Sequence, residues 1–329
     1  MRRSRLFRVV LGARMPVILV LLVLSASLLT QGRFIQIENL VNVMRQVSLE
    51  SVIAFGMTFV IITGGIDLSV GSVVALSGVV GALAMRAALD GHPLLVVSLG
   101  LLAAVAVGAA AGGSIGAVVA RFSIPPFIVT LSAMLIARGF AFIVCDGQPV
   151  HELPAQLHWW GRGFLGESVW GRTVPTTVVA MFLAYVFFLG LLNRTVFGRC
   201  VVAVGSNEQA AYLAGIPVRR TKFFVYLLTG CVAGLAGFLH DAKLMAGDPK
   251  VAEMWELNVI AAVVVGGTSL FGGRGTITGT LIGALIIGVL NNSLNLMNVE
   301  HFWQKVVLGA VILAASLLDA GLRKLEARS

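Results

Sequence analysis

Stretch after stretch of this chain stays apolar for about 18–28 residues without the in-and-out alternation of a strand, which is the length a helix needs to cross a hydrocarbon layer about 30 Å thick. In lipid the backbone must satisfy its own hydrogen bonds, so only helices and closed barrels can span. Long, non-alternating runs fit helices and not the short alternating strands of a barrel. Charge agrees with this reading. Only 12% of the 329 residues are charged and 58% are hydrophobic, against about 25% and about 45–50% in soluble domains. So few charges cannot cover a water-facing surface. The expected fold class is an all-α integral membrane protein.

Taking each apolar run with its polar punctuation places spans at 15–31, 48–63, 70–89, 94–120, 127–145, 174–192, 223–242, 257–271, 276–296 and 303–320, ten helices in all. Residues 94–120 read either as one long tilted helix or as a helix plus a re-entrant piece. The basic start "MRRSRLFR" followed by an apolar stretch resembles a signal peptide, but "LSASLL" is a poor cleavage site, so residues 15–31 read as an uncleaved first span. With the N-terminus inside, fifteen of the 24 Lys and Arg fall on inner segments, among them Arg2, Arg3, Arg5, Arg194, Arg199, Arg219, Arg220 and Lys222. That bias predicts both termini in the cytoplasm. The net charge of +9 is then a property of inner loops and not a nucleic-acid surface. The layout is a single transmembrane domain over 1–329, with an inner tail at about 1–14, an outer loop at about 146–173 and an inner loop at about 193–222. Trp159, Trp160 and Trp170 of the outer loop suit the membrane interface. Cys145, Cys200 and Cys231 have no metal or redox spacing, and no metal or cofactor is expected.

A faint repeat runs through the chain. A shift of 202 positions matches Gly64, Gly65, Leu68, Gly71, Gly81, Ala82 and Leu83 to Gly266, Gly267, Leu270, Gly273, Gly283, Ala284 and Leu285. Duplicated halves are a common way to build a transporter. Glycines also recur at four-residue spacing, as Gly108, Gly112 and Gly116 and again as Gly275, Gly279 and Gly283. Small residues one turn apart let helix backbones approach closely.

Enzymatic readings find little support. No GxxxxGK[ST] phosphate loop occurs, so the chain has no ATP site of the usual kind. His151 in "HELP" lacks the second histidine of a zinc-protease helix, and His240 and Asp241, being adjacent, point apart on a helix. The stretch "GGIDLSVGS" at 64–72 is more telling. Gly64 and Gly65 break the helix, and Asp67 or Ser69 can cap the next one near Val70. Two readings stand: a cap alone, or a cap in a broken helix that also lines a polar pathway. Arg138, His240, Asn258, Asn291, Asn292 and Asn295 are further polar groups within spans. Arg138 is expected to pair with a carbonyl or carboxylate inside the bundle. Asn291, Asn292 and Asn295 serve either interhelical hydrogen bonds or a solute path. Buried carboxylates look scarce, which argues for an external energy source over a proton-coupled carrier. In the inner loop, "SNEQAAYLAGI" reads as a short amphipathic helix capped by Ser206 or Asn207 and ended by Gly215 and Pro217. Such a helix is either a docking element for a soluble partner or a solvated connector.

Three segments together, "GMTFVIITGGIDLSVGS" at 56–72, "GRCVVAVGSNEQAAYLAGI" at 198–216 and "LNVIAAVVVGGTSLFGGRGTITGTLIGALIIGVLNNSLNLM" at 257–297, resemble the ribose-type permeases of bacterial ABC sugar importers, and the similarity runs over roughly residues 35–320. The resemblance implies a permease of the inner membrane, paired with itself or with a related permease around one path. It implies a cytoplasmic ATP-binding subunit docking on the loop of Asn207, Glu208, Ala210, Ala211 and Gly215, and a periplasmic sugar-binding protein delivering a monosaccharide. Asp67 and Ser69 match the family's Gly-Ile-Asp-Leu-Ser motif. Asn258 stands where many members carry an acidic residue, and "VGSN" replaces the more usual two glycines before Asn207; both bear on which sugar is carried. The same architecture also serves other small solutes, such as branched-chain amino acids or nucleosides.

Overall fold

The computed structural model describes residues 2–122, 124–165 and 174–326. The expected interface residue Trp170 lies outside them. Among the described residues the chain forms thirteen α-helices, one 3₁₀ turn and a two-residue hairpin of Phe164–Leu165 with Val174–Pro175. The helices are α1 (Arg2–Leu29), α2 (Ile37–Ile62), α3 (Val70–Ala87), α4 (Pro93–Phe122), α5 (Pro126–Val144), α6 (Leu157–Arg162), α7 (Thr176–Arg194), α8 (Val196–Ser206), α9 (Glu208–Leu213), α10 (Val218–Leu244), α11 (Trp255–Val265), α12 (Ile277–Leu296) and α13 (His301–Glu326). Every expected span has a helix. Seven of them (α2, α3, α4, α5, α7, α10 and α12) are long and apolar enough to cross a membrane. Residues 94–120 belong to one continuous helix, which settles the alternative left open for them.

Helix α2 is the axis of the bundle, buried nearly all round. On one side α3, α4, α5 and α10 pack together; on the other, α1, α11, α12 and α13 do, with α7 closing the flank. An aromatic ladder of Phe55, Phe188, Phe59 and Phe197 joins α2 to α7 and α8. Both glycine stripes are close-approach seams. A Cβ on Gly108 would land on the carbonyl of Gly230, and one on Gly112 on that of Tyr226, so α4 meets α10 backbone to backbone. Gly283 meets Ala262 of α11, and Gly279 meets Gly266 at its C-terminal cap, in the same way. Gly112→Leu would force α4 off α10, and overpacking against backbone should cost more than about 3 kcal/mol. Thermal unfolding in detergent measures this as a large drop in midpoint.

Two departures from expectation position the site. First, α2 begins at Ile37, eleven residues before the expected start, and carries Asn39, Arg45, Gln46 and Glu50 on its first turns. Second, the link from α10 to α11 is no simple outer loop. Gly247 pairs backbone to backbone with Val150, and its Cβ position faces Ala82; five residues on, the Ala252 carbonyl abuts Gly71. The chain therefore turns back along α3, from its last turns to its first. Met245, Ala252 and Met254 take left-handed backbone on the way. Irregular backbone at membrane depth survives only when protein covers it. Arg138 helps to cover it, donating to the carbonyls of Pro249 at 2.7 Å and Val251 at 2.9 Å, as its expected pairing with a carbonyl required. As a result α11 has 11 residues, about 16 Å, half the depth of a bilayer core.

Candidate functional site

The break at Gly64 is a closed helix end. Thr63, Gly64 and Gly65 donate their N–H groups to the carbonyls of Phe59, Ile61 and Val60. Gly64 has φ 79°, the left-handed conformation that ends helices and that glycine adopts without strain. Helix α11 ends identically: Gly266, Gly267 and Thr268 donate to Ala262, Val264 and Val263, and Gly267 has φ 89°. The equivalent glycines are thus Gly64 and Gly267, an offset of 203 and not the 202 of the sequence match.

Beyond the turn, residues 65–69 have no regular structure, and Gly65 sits against the Tyr226 hydroxyl of α10. The Ile66 carbonyl accepts a bond from Thr130 of α5. Asp67 and Ser69 are both buried. The cap expected of them differs from the one found. Asp67 Oδ1 accepts the Ser69 N–H at 2.9 Å and the Ser69 hydroxyl at 2.6 Å, so it fixes the residue before α3 without reaching the first turn's free N–H groups. The group that does approach that turn is the Glu256 carboxylate, 2.6 Å from the position a Gly71 Cβ would take. A carboxylate there is favoured by the dipole of α3 and lies in the first turn of α11 as well.

The end of α2, the Gly272–Gly273 turn and the end of α8 converge. Gly273 donates to the Ile62 carbonyl at 2.8 Å. Gly205, next to last in α8, has no room for a side chain: a Cβ would fall on the same Ile62 oxygen and 2.8 Å from the Gly273 nitrogen. Gly272 and Gly273, with φ 84° and 77°, sit against Gly205 and Ser206. Three backbones meet here with no side-chain cushion.

Directly after this joint comes α9. Asn207 is its cap, accepting the Ala210 N–H at 2.9 Å, whereas Ser206 turns back to the Val202 carbonyl. Gly215, at φ 79°, closes the other end, with Gly215 and Ile216 donating to Tyr212 and Ala211. Ala211 is buried against Val204 and Val218, while Ala210 is exposed. Glu208 pairs with Lys222 at 2.7 Å. Two residues that the sequence did not single out are the most prominent on this helix: Tyr212 and Leu213 are 72% and 84% exposed. A cavity of about 860 Å³ opens between α9 and the α4–α5 turn, bordered by Pro125, Pro126, Glu208, Tyr212 and Pro217.

The asparagine cluster divides. Asn292 exchanges two 2.9 Å amide hydrogen bonds with Asn39, a clamp between α12 and α2. Asn291 and Asn295 instead line a second cavity of about 520 Å³, away from the Gly64 break. Carboxylates are less scarce than the sequence suggested. Glu50 and Asp241 lie within candidate spans, and Asp67 and Glu256 lie beside helix ends. Asp241 packs against Gly78 with neither oxygen hydrogen-bonded. The spelling Gly-Gly-Ser-Ile-Gly at 112–116 falls inside α4 and is no nucleophile elbow, which needs a strand-to-helix turn.

Residues 39–316 match the family described as "Branched-chain amino acid transport system / permease component". The chain is 45% identical over 304 residues to the ribose import permease protein RbsC of Bacillus subtilis (strain 168), covering 92% of this chain and 90% of the relative. It is 43% identical to the ribose import permease protein RbsC of Escherichia coli (strain K12), with 92% of each chain covered. It is 40% identical to the L-arabinose ABC transporter permease protein AraH of Azospirillum brasilense, over 93% of this chain and 87% of the relative. No solved structure matches the chain. Similarity of this extent over nearly the whole of each chain shows that the protein belongs to this family of ABC-transporter permeases.

Proposed function

We propose that the protein is the membrane-spanning permease subunit of an ATP-driven importer that carries a monosaccharide, a ribose-like pentose first, across the inner membrane. The observation that carries this reading is the 45% identity with a ribose import permease over about nine tenths of both chains. Whole-chain similarity of that degree covers the path and the docking loop alike, so it bears on the solute as well as the fold. Both termini lie in the cytoplasm, the single domain occupies 1–329, and the loop of α8 and α9 faces inward. An ATP-binding subunit docks on α9 through Asn207, Glu208, Ala210, Ala211 and Gly215, with Tyr212 and Leu213 as its apolar anchors. A binding protein delivers sugar from the other side, and a second permease chain, identical or related, completes the path. Hydrolysis belongs to the partner, because this chain has no phosphate loop.

The test is uptake. Cells carrying the importer should accumulate labelled ribose, or another pentose, in an ATP-dependent manner and lose that uptake when this chain is deleted. Deletion that abolished uptake of leucine or a nucleoside, and spared every pentose and hexose, would overturn the sugar assignment.

A further inference from the structure

The cavity of about 520 Å³ has a lining unlike the rest of the bundle. Its walls are Gln46 and Glu50 of α2, Trp255 and Asn258 of α11, and Asn291 and Asn295 of α12, with Gln304 and Lys305 of α13 at the rim. Glu50 stands thirteen residues into α2, about 20 Å from its start. These groups retain hydrogen-bonding capacity. Asn258 reaches Glu50 only at 3.4 Å, longer than an ordinary bond. Gln304 donates to Asn295 at 2.7 Å, using one of that amide's four positions. The Asn291 side chain makes no hydrogen bond among the described residues. Trp255 packs edge-to-face with His240, ring centroids 5.2 Å apart. Apolar helix-packing needs none of this.

Planar amides and a carboxylate offer donors and acceptors side by side, which suits neighbouring hydroxyls that each donate and accept. An indole in the cavity wall offers an apolar surface to the C–H face of a ring. The volume falls within the range of small-molecule sites, about 300–1,000 Å³. Charges of both signs, Glu50 and Glu253 with Lys250 and Lys305, line the cavity, so neither a simple anion nor a simple cation is selected. We infer that this cavity is a transient site for one monosaccharide within the path, with Asn291, Asn258 and Glu50 contacting hydroxyls and Trp255 the ring face. The inference rests on the importer reading above and adds to it the residues that recognise the solute.

The deciding experiment replaces Asn291 with cysteine in the complete importer and follows its modification by a maleimide, with the unsubstituted chain as background for the three native cysteines. Millimolar ribose should slow labelling at least fivefold, and leucine should not. Equal rates with and without ribose, or protection by leucine alone, would overturn the site. Independently, Asn291→Leu should lower ribose uptake more than tenfold, and uptake at the parental rate would also overturn it. Should the leucine variant fail to reach the membrane, the labelling result decides. The parental chain separates the two levels: if it carries no monosaccharide, the importer reading fails; if it carries ribose while the cysteine goes unprotected, only the cavity assignment fails.

Discussion

Replacing Gly205 by valine should abolish uptake, a loss well beyond tenfold, in a chain whose apolar spans are untouched. The glycine lies where α8 meets the end of α2 and the Gly272–Gly273 turn, and an added Cβ would strike the Ile62 carbonyl and crowd the Gly273 nitrogen. Overpacking costs about 1–3 kcal/mol when side chains can yield. Here the opposing atoms are backbone, one of them already holding a hydrogen bond, so the joint must open instead of adjusting. If a partner moves α9, that motion should no longer reach the bundle, because the joint lies between α9 and the end of α2. Gly190→Ala is the matched control. Nothing lies within 4 Å of its Cβ position in α7, and Gly to Ala within a helix should be neutral or stabilise by up to about 1 kcal/mol. Uptake assays and thermal unfolding of both variants provide the comparison. Parental uptake by Gly205→Val would show that transport does not depend on the close backbone contact at this joint.

The second large effect is expected at the tip of α9. Leu213 is almost free of the fold, so Leu213→Asp should change stability by no more than about 0.5 kcal/mol. If α9 is where an ATP-binding subunit docks, a carboxylate placed among its apolar anchors should cost at least about 2 kcal/mol of association, some thirtyfold. ATP-driven uptake should fall accordingly. Glu208→Arg should act in the same direction, since it replaces the pairing with Lys222 by repulsion. A bulky residue at Gly215 works differently: no neighbour obstructs it, but φ 79° imposes about 1–2 kcal/mol of strain on the loop. Normal uptake by well-expressed Leu213→Asp and Glu208→Arg chains would move the docking surface elsewhere.

Much of this architecture could be read from residue order because lipid leaves the backbone so few options. The ten apolar runs each became helix, and Asn207 and Gly215 marked the ends of α9 through capping chemistry that acts over three or four residues. What depended on distant partners was not legible. The first turns of α2 look like a loop, since Asn39, Arg45 and Gln46 keep the stretch before residue 48 polar; in the fold Asn39 finds Asn292 and Gln46 faces a polar cavity. The turn-back of 245–254 leaves no periodic signal, and the shortness of α11 is hidden because "VVVGGTSLF" stays mostly apolar past its end. Asp67 had the composition of a cap but spends both bonds on Ser69. Gly205, in a segment rich in glycine and valine, could not be told from a packing glycine until its neighbours were known. Glu50 and Trp255 were missed for the same reason: their meaning comes from what α12 and α13 bring opposite them.

On the proposed function, this chain opens a path for sugar while another chain supplies the energy. Tagging the chain in its native membrane and purifying it gently tests this most directly. A nucleotide-binding subunit should co-purify in stoichiometric amount, and ATP hydrolysis in that fraction should rise when a sugar-loaded binding protein is added, with a pentose among the most effective sugars. Purification of the chain without an ATPase, together with proteoliposomes of the chain alone accumulating solute on a proton or sodium gradient, would contradict it.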